Sequence, residues 1–107
     1  MSKIGEFKDL TDQEVIDLIV KEFCVEESTV KEYEIIACAL NSYGYEEDAY
    51  LVLKKDNEFY EVNASHCSCH GFETQFEPKI SSLTYILSDH YGSDEEIQKY
   101  IKEKFYN

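Results

Sequence analysis

The chain has 107 residues, 43% of them hydrophobic, with 23 acidic side chains against 10 basic ones and a formal charge of −13. That length suits one domain, residues 1–107, with a modest core, and the apolar and aromatic content argues against disorder. Every basic residue is lysine; without arginine or a basic footprint, direct nucleic-acid binding is disfavoured, and a basic protein surface is the partner such a charge attracts.

Residues 1–10 are polar and lack the apolar stretch of a secretion signal. No run approaches the roughly 20 apolar residues of a membrane helix. The expectation is a soluble cytoplasmic monomer without membrane contact, whose four cysteines are thiols or ligands rather than disulfides. Thr11-Asp12-Gln13-Glu14 is a capping-box pattern, and Ile16, Ile19, Val20 and Phe23 follow at helical spacing, which predicts a helix over 11–24. Cys24 at its end reads as core rather than ligand, and 25–29 as the turn out of the helix.

From Tyr33 the period changes to that of a strand over 33–40, with both faces covered. Asn41 to Asp48, with Gly44 and the run Glu46-Glu47-Asp48, reads as a loop. Strands are predicted over 49–54 and 59–64, joined by a tight turn at Asp56-Asn57. Beyond Gly71 and Pro78, a helical pattern opens at Ser82-Leu83, runs through Ile86, Leu87 and His90, and ends at Gly92. Ser93-Asp94-Glu95-Glu96 reads as another capping box, leading into a last helix with Ile97, Tyr100, Ile101 and Phe105 on one face. The order is α-β-β-β-α-α. It describes an α+β domain with a three-stranded antiparallel sheet, one N-terminal helix and two C-terminal helices, the helices covering one face of the sheet.

Between the third strand and Gly71 lies His66-Cys67-Ser68-Cys69-His70, four potential metal ligands in five residues. Thiolate and imidazole are the donors that zinc selects. Cys67 and Cys69 project to the same side of an extended segment, so a structural zinc held by His66, Cys67 and Cys69 is expected. His70 is the nearest fourth ligand, with Cys38, Asp48 and Glu73 as alternatives. The spacing matches no standard zinc-finger pattern. Three competing readings are buried cysteines without metal, a strained Cys67–Cys69 disulfide, and a cysteine nucleophile beside a histidine base. The last is disfavoured because adjacent side chains on a strand point to opposite sides. Tyr43, Tyr45 and Tyr50 surround the acidic run, either as an interface or as the edge of the core.

The stretch Tyr60 to Cys69, with Gly71, Glu73, Gln75 and Pro78, resembles a family of small phage and prophage proteins whose members carry a strand ending in Ser-His-Cys-Ser-Cys. Phe76 stands where that family usually has tryptophan, and His70 where an aromatic or polar residue is common. The resemblance implies a zinc-containing inhibitor of the type II-A anti-CRISPR kind, acting in the bacterial host cell on Cas9 or its guide-RNA complex. Such a nuclease holds its heteroduplex in a positively charged channel, and an acidic protein seated there blocks target-DNA loading or cleavage. The residues expected to dock are Tyr43, Tyr45, Glu46, Glu47 and Asp48, together with Asp94, Glu95 and Glu96. The alternatives are a small metal-dependent or thiol enzyme and a host-takeover binding protein with another target.

Overall fold

A computed structural model describes residues 1–67 and 71–105. The chain forms β1 (Ser2–Gly5), α1 (Asp12–Phe23), α2 (Glu27–Val30), β2 (Glu34–Tyr43), β3 (Glu46–Lys55), β4 (Glu58–Cys67), β5 (Lys79–Ser81), α3 (Leu83–Ile86) and α4 (Glu95–Phe105). The five strands make one sheet in the order β1-β2-β3-β4-β5. β1 pairs parallel with β2, and every other pair is antiparallel.

The expected three-stranded antiparallel sheet with one N-terminal and two C-terminal helices is therefore corrected to a five-stranded mixed sheet with four helices. β1 and β5 are too short to carry a period of their own and exist through pairing with β2 and β4. The 41–48 loop is also replaced. Its polar ends extend β2 and β3 to a two-residue turn at Gly44-Tyr45, where Gly44 takes a positive φ of 66°. Asp56 and Asn57, both at positive φ, close the β3–β4 hairpin at the opposite end. The second helical pattern shortens to the single turn of α3, capped by Ser82.

Helices cover both faces rather than one. Val15, Ile19 and Phe23 of α1 and Val30 of α2 pack with Phe7 and Phe72 on the face of Cys38, Leu40, Leu51, Leu53, Val62 and Ala64. Ile86 of α3 and Ile97 and Ile101 of α4 pack on the face of Ala37, Ala39, Tyr50 and Val52. The two faces are called here the α1 face and the α4 face. Burial on both sides explains the near-continuous apolar run of β2, which a bulge between Ile35 and Ala37 fits to β3.

Local signals place the first helix. Thr11 accepts from the Glu14 backbone N–H while the Glu14 carboxylate accepts from the Thr11 N–H, which completes the capping box. Cys24 is an exposed left-handed C-cap rather than core. At the start of the chain, Gly5 has a φ of +69° and no room for a Cβ, which would lie 2.0 Å from the Leu40 carbonyl oxygen. Phe7 then drops into the core beside α1. Each fully buried phenylalanine of Phe7, Phe23 and Phe72 contributes roughly 2–3 kcal/mol of apolar burial, and Phe23 stacks on Phe72 at 5.0 Å.

Candidate functional site

β4 runs straight to Cys67, and its pairing with β3 sets Glu46 opposite Cys67, Glu47 opposite His66 and Asp48 opposite Ser65. Side chains alternate along a strand. His66 therefore shares the α1 face with Val62 and Ala64, while Cys67 shares the α4 face with Ser65. Alternation thus sends the two adjacent members of the expected ligand set to opposite faces, while both residues line one depression at the end of the strand.

On the α1 face His66 is nearly buried and meets the edge of Phe72 at 4.3 Å. Its Nδ1 lies 2.6 Å from the Cys67 carbonyl oxygen, an acceptor, so Nδ1 carries a proton. Its Nε2 lies 2.8 Å from Glu47 Oε1 but is not aligned for a hydrogen bond, which leaves that buried nitrogen without a hydrogen-bond partner among the described residues. Glu47 also accepts from the Ser42 hydroxyl at 2.9 Å and lies beside the Glu6 carboxyl. Burial, then the shared hydrogen bond and charge of Glu47, raise the Glu6 carboxyl above its ordinary value. Burial acts to raise Glu47 as well, but the hydrogen bonds from Ser42 and Glu6 and the charge of His66 outweigh it and hold Glu47 below its ordinary value.

An imidazole anchored through Nδ1 on a carbonyl has the form of a metal ligand, with Nε2, here 2.8 Å from the Glu47 carboxylate, as the atom that would bind. His66 thus fits zinc. Cys38 does not: it is buried, its Sγ lies against the Ser2 carbonyl and the Met1 sulfur, and burial pushes its thiol up to about 12. Glu73 caps the Gly71 N–H at 3.0 Å, and Asp48 stands on the α4 face. Among the described residues no three His, Cys, Asp or Glu side chains converge on one point. Cys69 and His70 lie outside the described residues.

The expected docking residues are brought together more closely. Tyr43 and Tyr45 are 61% and 82% exposed at the β2–β3 turn. Tyr43 pairs with Glu46, and alternation puts Tyr43, Glu46 and Asp48 on the α4 face. There a small pocket of ≈ 170 Å³ is lined by Tyr43 and Asp48 from the hairpin and by Tyr91 and Asp94 from the segment before α4. A neighbouring depression joins Glu46, Asp48, Cys67 and Tyr91. Two segments far apart in sequence therefore form one acidic, aromatic patch. Glu47 faces the other way, toward His66. Tyr50 is buried and belongs to the core. Asp94, rather than Ser93, caps α4, its Oδ1 accepting from the backbone N–H groups of Glu96 and Ile97. Glu95 and Glu96 are exposed on the first turn of α4.

Sequence reasoning missed Tyr91, which is 72% exposed and stands in this patch. It also missed a buried cluster on the same face. Glu61 is 7% exposed; its Oε2 accepts the Tyr50 hydroxyl and lies 2.6 Å from His90 Nε2. His90 Nδ1 lies 2.8 Å from the Ser88 carbonyl oxygen, so that nitrogen carries a proton and a second proton lies between Nε2 and Glu61. Burial, then the hydrogen bond to Glu61, push Tyr50 far above an ordinary tyrosine, which keeps it a donor. The cluster fastens the α3–α4 connection to the sheet. Gly92 follows at a φ of +87°, where a Cβ would lie 2.0 Å from Asn63 Oδ1. The only sequence signal for the cluster is a glutamate set between Tyr60 and Val62 in β4.

No helix among the described residues is long and apolar enough to cross a membrane. No family model, curated protein or solved structure matches the chain.

Proposed function

We propose that this protein is an acidic docking protein whose patch at the β2–β3 turn seats on a basic surface of a nucleic-acid enzyme and blocks access to nucleic acid. The convergence of Tyr43, Glu46 and Asp48 with Tyr91 and Asp94 on one face carries the reading. Exposed tyrosines supply rigid contact area, and carboxylates supply steering toward a positive partner. The segments that meet there, 41–48, 63–67 and 91–96, contain no lysine, so their charge is not neutralised from within.

The resemblance of the 60–78 stretch to small phage proteins nominates Cas9 with its guide RNA as the partner, whose heteroduplex channel is positively charged. Zinc belongs to the same proposal: His66 would be one ligand, with Cys69 and His70 supplying others, and a bound ion would hold the end of β4 in place. The test is target-DNA cleavage by the Cas9–guide complex with and without the purified protein across a range of salt. Inhibition at low salt that fades as salt rises supports the proposal. Unimpeded cleavage, with no binding of the complex at low salt, removes Cas9 as the partner.

A further inference from the structure

The pocket between the hairpin and the α3–α4 connection has a more specific chemistry than the patch around it. At ≈ 170 Å³ it is below the roughly 300–1,000 Å³ of sites for drug-sized ligands and suits a single side chain. The tyrosines Tyr43 and Tyr91, the acids Asp48 and Asp94 and the amides Asn41 and Asn63 are among its lining residues. Among the described residues neither carboxylate pairs with a lysine. Asp94 is held in place because its Oδ1 also caps α4. The connection that brings Tyr91 and Asp94 to the sheet is fixed on one side by His90 on Glu61 and on the other by the close approach of Gly92 to Asn63. The pocket is thus pre-formed by the fold.

We propose that the pocket between Tyr43, Asp48, Tyr91 and Asp94 seats one arginine side chain presented by the partner protein. A flat guanidinium stacks on tyrosine faces and forks onto carboxylates, whereas an ammonium is a compact, strongly hydrated point charge that does neither as well. The inference rests on the docking reading above and sharpens it: the patch recognises arginine, not positive charge in general.

The test is an NMR titration of the protein with N-acetyl-arginine methylamide and, separately, with N-acetyl-lysine methylamide. The expected result is saturable, millimolar binding of the arginine compound, with shifts centred on Tyr43, Asp48, Tyr91 and Asp94 and at least about threefold weaker binding of the lysine compound, the size of a modest cation–π difference. Tyr91→Ala and Asp48→Asn, both exposed positions, should each weaken arginine binding about three- to tenfold, while Glu58→Gln, exposed at the opposite end of the sheet, leaves it within twofold. Thermal midpoints of the three variants check that the fold is retained. Equal affinity for the two compounds, shifts spread over all acidic residues without saturation, or unchanged binding by a folded Tyr91→Ala variant would overturn the inference. If a basic protein partner is bound yet arginine shows no preference, the pocket assignment alone fails. If arginine binds as expected while no basic protein is inhibited, the pocket stands and the inhibitor reading fails.

Discussion

His90 meets Glu61 on the α4 face of the sheet, and His66 meets Glu47 on the α1 face, yet the two pairs are built differently. In the first, both ring nitrogens of His90 have acceptors and Glu61 also takes the Tyr50 hydroxyl, and the His90 and Glu61 side chains are nearly buried. In the second, Nε2 of His66 touches a carboxylate without hydrogen-bond alignment, and that carboxylate is partly exposed and lies beside the Glu6 carboxyl. A fully partnered buried cluster acts as a fastener, since removing one member leaves the others short of partners in the interior. A buried nitrogen held in one orientation beside a carboxylate it does not align with is instead a place where a ligand has something to gain.

Removing the carboxylates separates the two pairs most strongly. Glu61→Ala strands His90 and the Tyr50 hydroxyl and should cost about 3 kcal/mol of unfolding free energy or more. Glu47→Ala, at the partly exposed pair, should cost under about 1 kcal/mol. Urea unfolding of both variants checks this, and equal losses would erase the distinction.

Replacing the imidazoles gives a smaller contrast. His90→Phe leaves a buried carboxylate short of a donor and should cost about 2 kcal/mol. His66→Phe keeps the packing on Phe72 and loses the bond to the Cys67 carbonyl and the contact with the partly exposed Glu47, so metal-free protein should lose about 1 kcal/mol. In zinc-loaded protein the same variant should lose most of any metal-dependent rise in thermal midpoint. A metal-dependent rise that survives His66→Phe would remove His66 from the ligand set.

These pairs also show where sequence stops being informative. The capping box at Thr11, the Asp56-Asn57 turn and the hairpin it closes are local, and residues a few positions apart specify them. β1 is not local: Ser2 to Gly5 becomes a strand because Ala37 to Leu40 offer an open edge, and Gly5 is required by a carbonyl 35 residues away. The polar stretch 41–48 reads as a loop because acids and a glycine mark turns. Its residues are nevertheless strand ends, paired across a two-residue turn, and that pairing is what aims Tyr43 and Asp48 at Tyr91. The division of His66 from Cys67 followed from strand alternation once β4 was known to extend to Cys67. The Glu61–His90 contact, 29 residues apart, leaves no periodic trace at all.

The smallest expected effect concerns pH around the His66 pair. Glu6, raised by burial and by Glu47, favours the folded state while protonated, below its ordinary value of 4.5, and this contribution is lost as pH rises through the raised value. Glu47, lowered overall, acts in the opposite sense: its contribution is present above 4.5 and is lost as pH falls through the lowered value. Glu6→Gln removes the repulsion between the two carboxylates at neutral pH. It should raise the thermal midpoint slightly at pH 7 and not at pH 3, the gain being small because both groups are largely solvated. A larger gain at pH 3 would reverse the assigned signs.

The central claim is that function resides in the acidic, tyrosine-bearing patch and not in net charge. Its most direct test is the affinity for the Cas9–guide complex of Glu46→Lys/Asp48→Lys, compared with Glu34→Lys/Glu58→Lys at the opposite end of the same sheet. Both double variants change net charge equally. The patch variant should bind about tenfold more weakly or worse, from like-charge contact with a basic partner, and the remote variant should stay within about twofold of the unaltered protein. Equal weakening by the two, or a patch variant that binds as well as the original, would contradict the account.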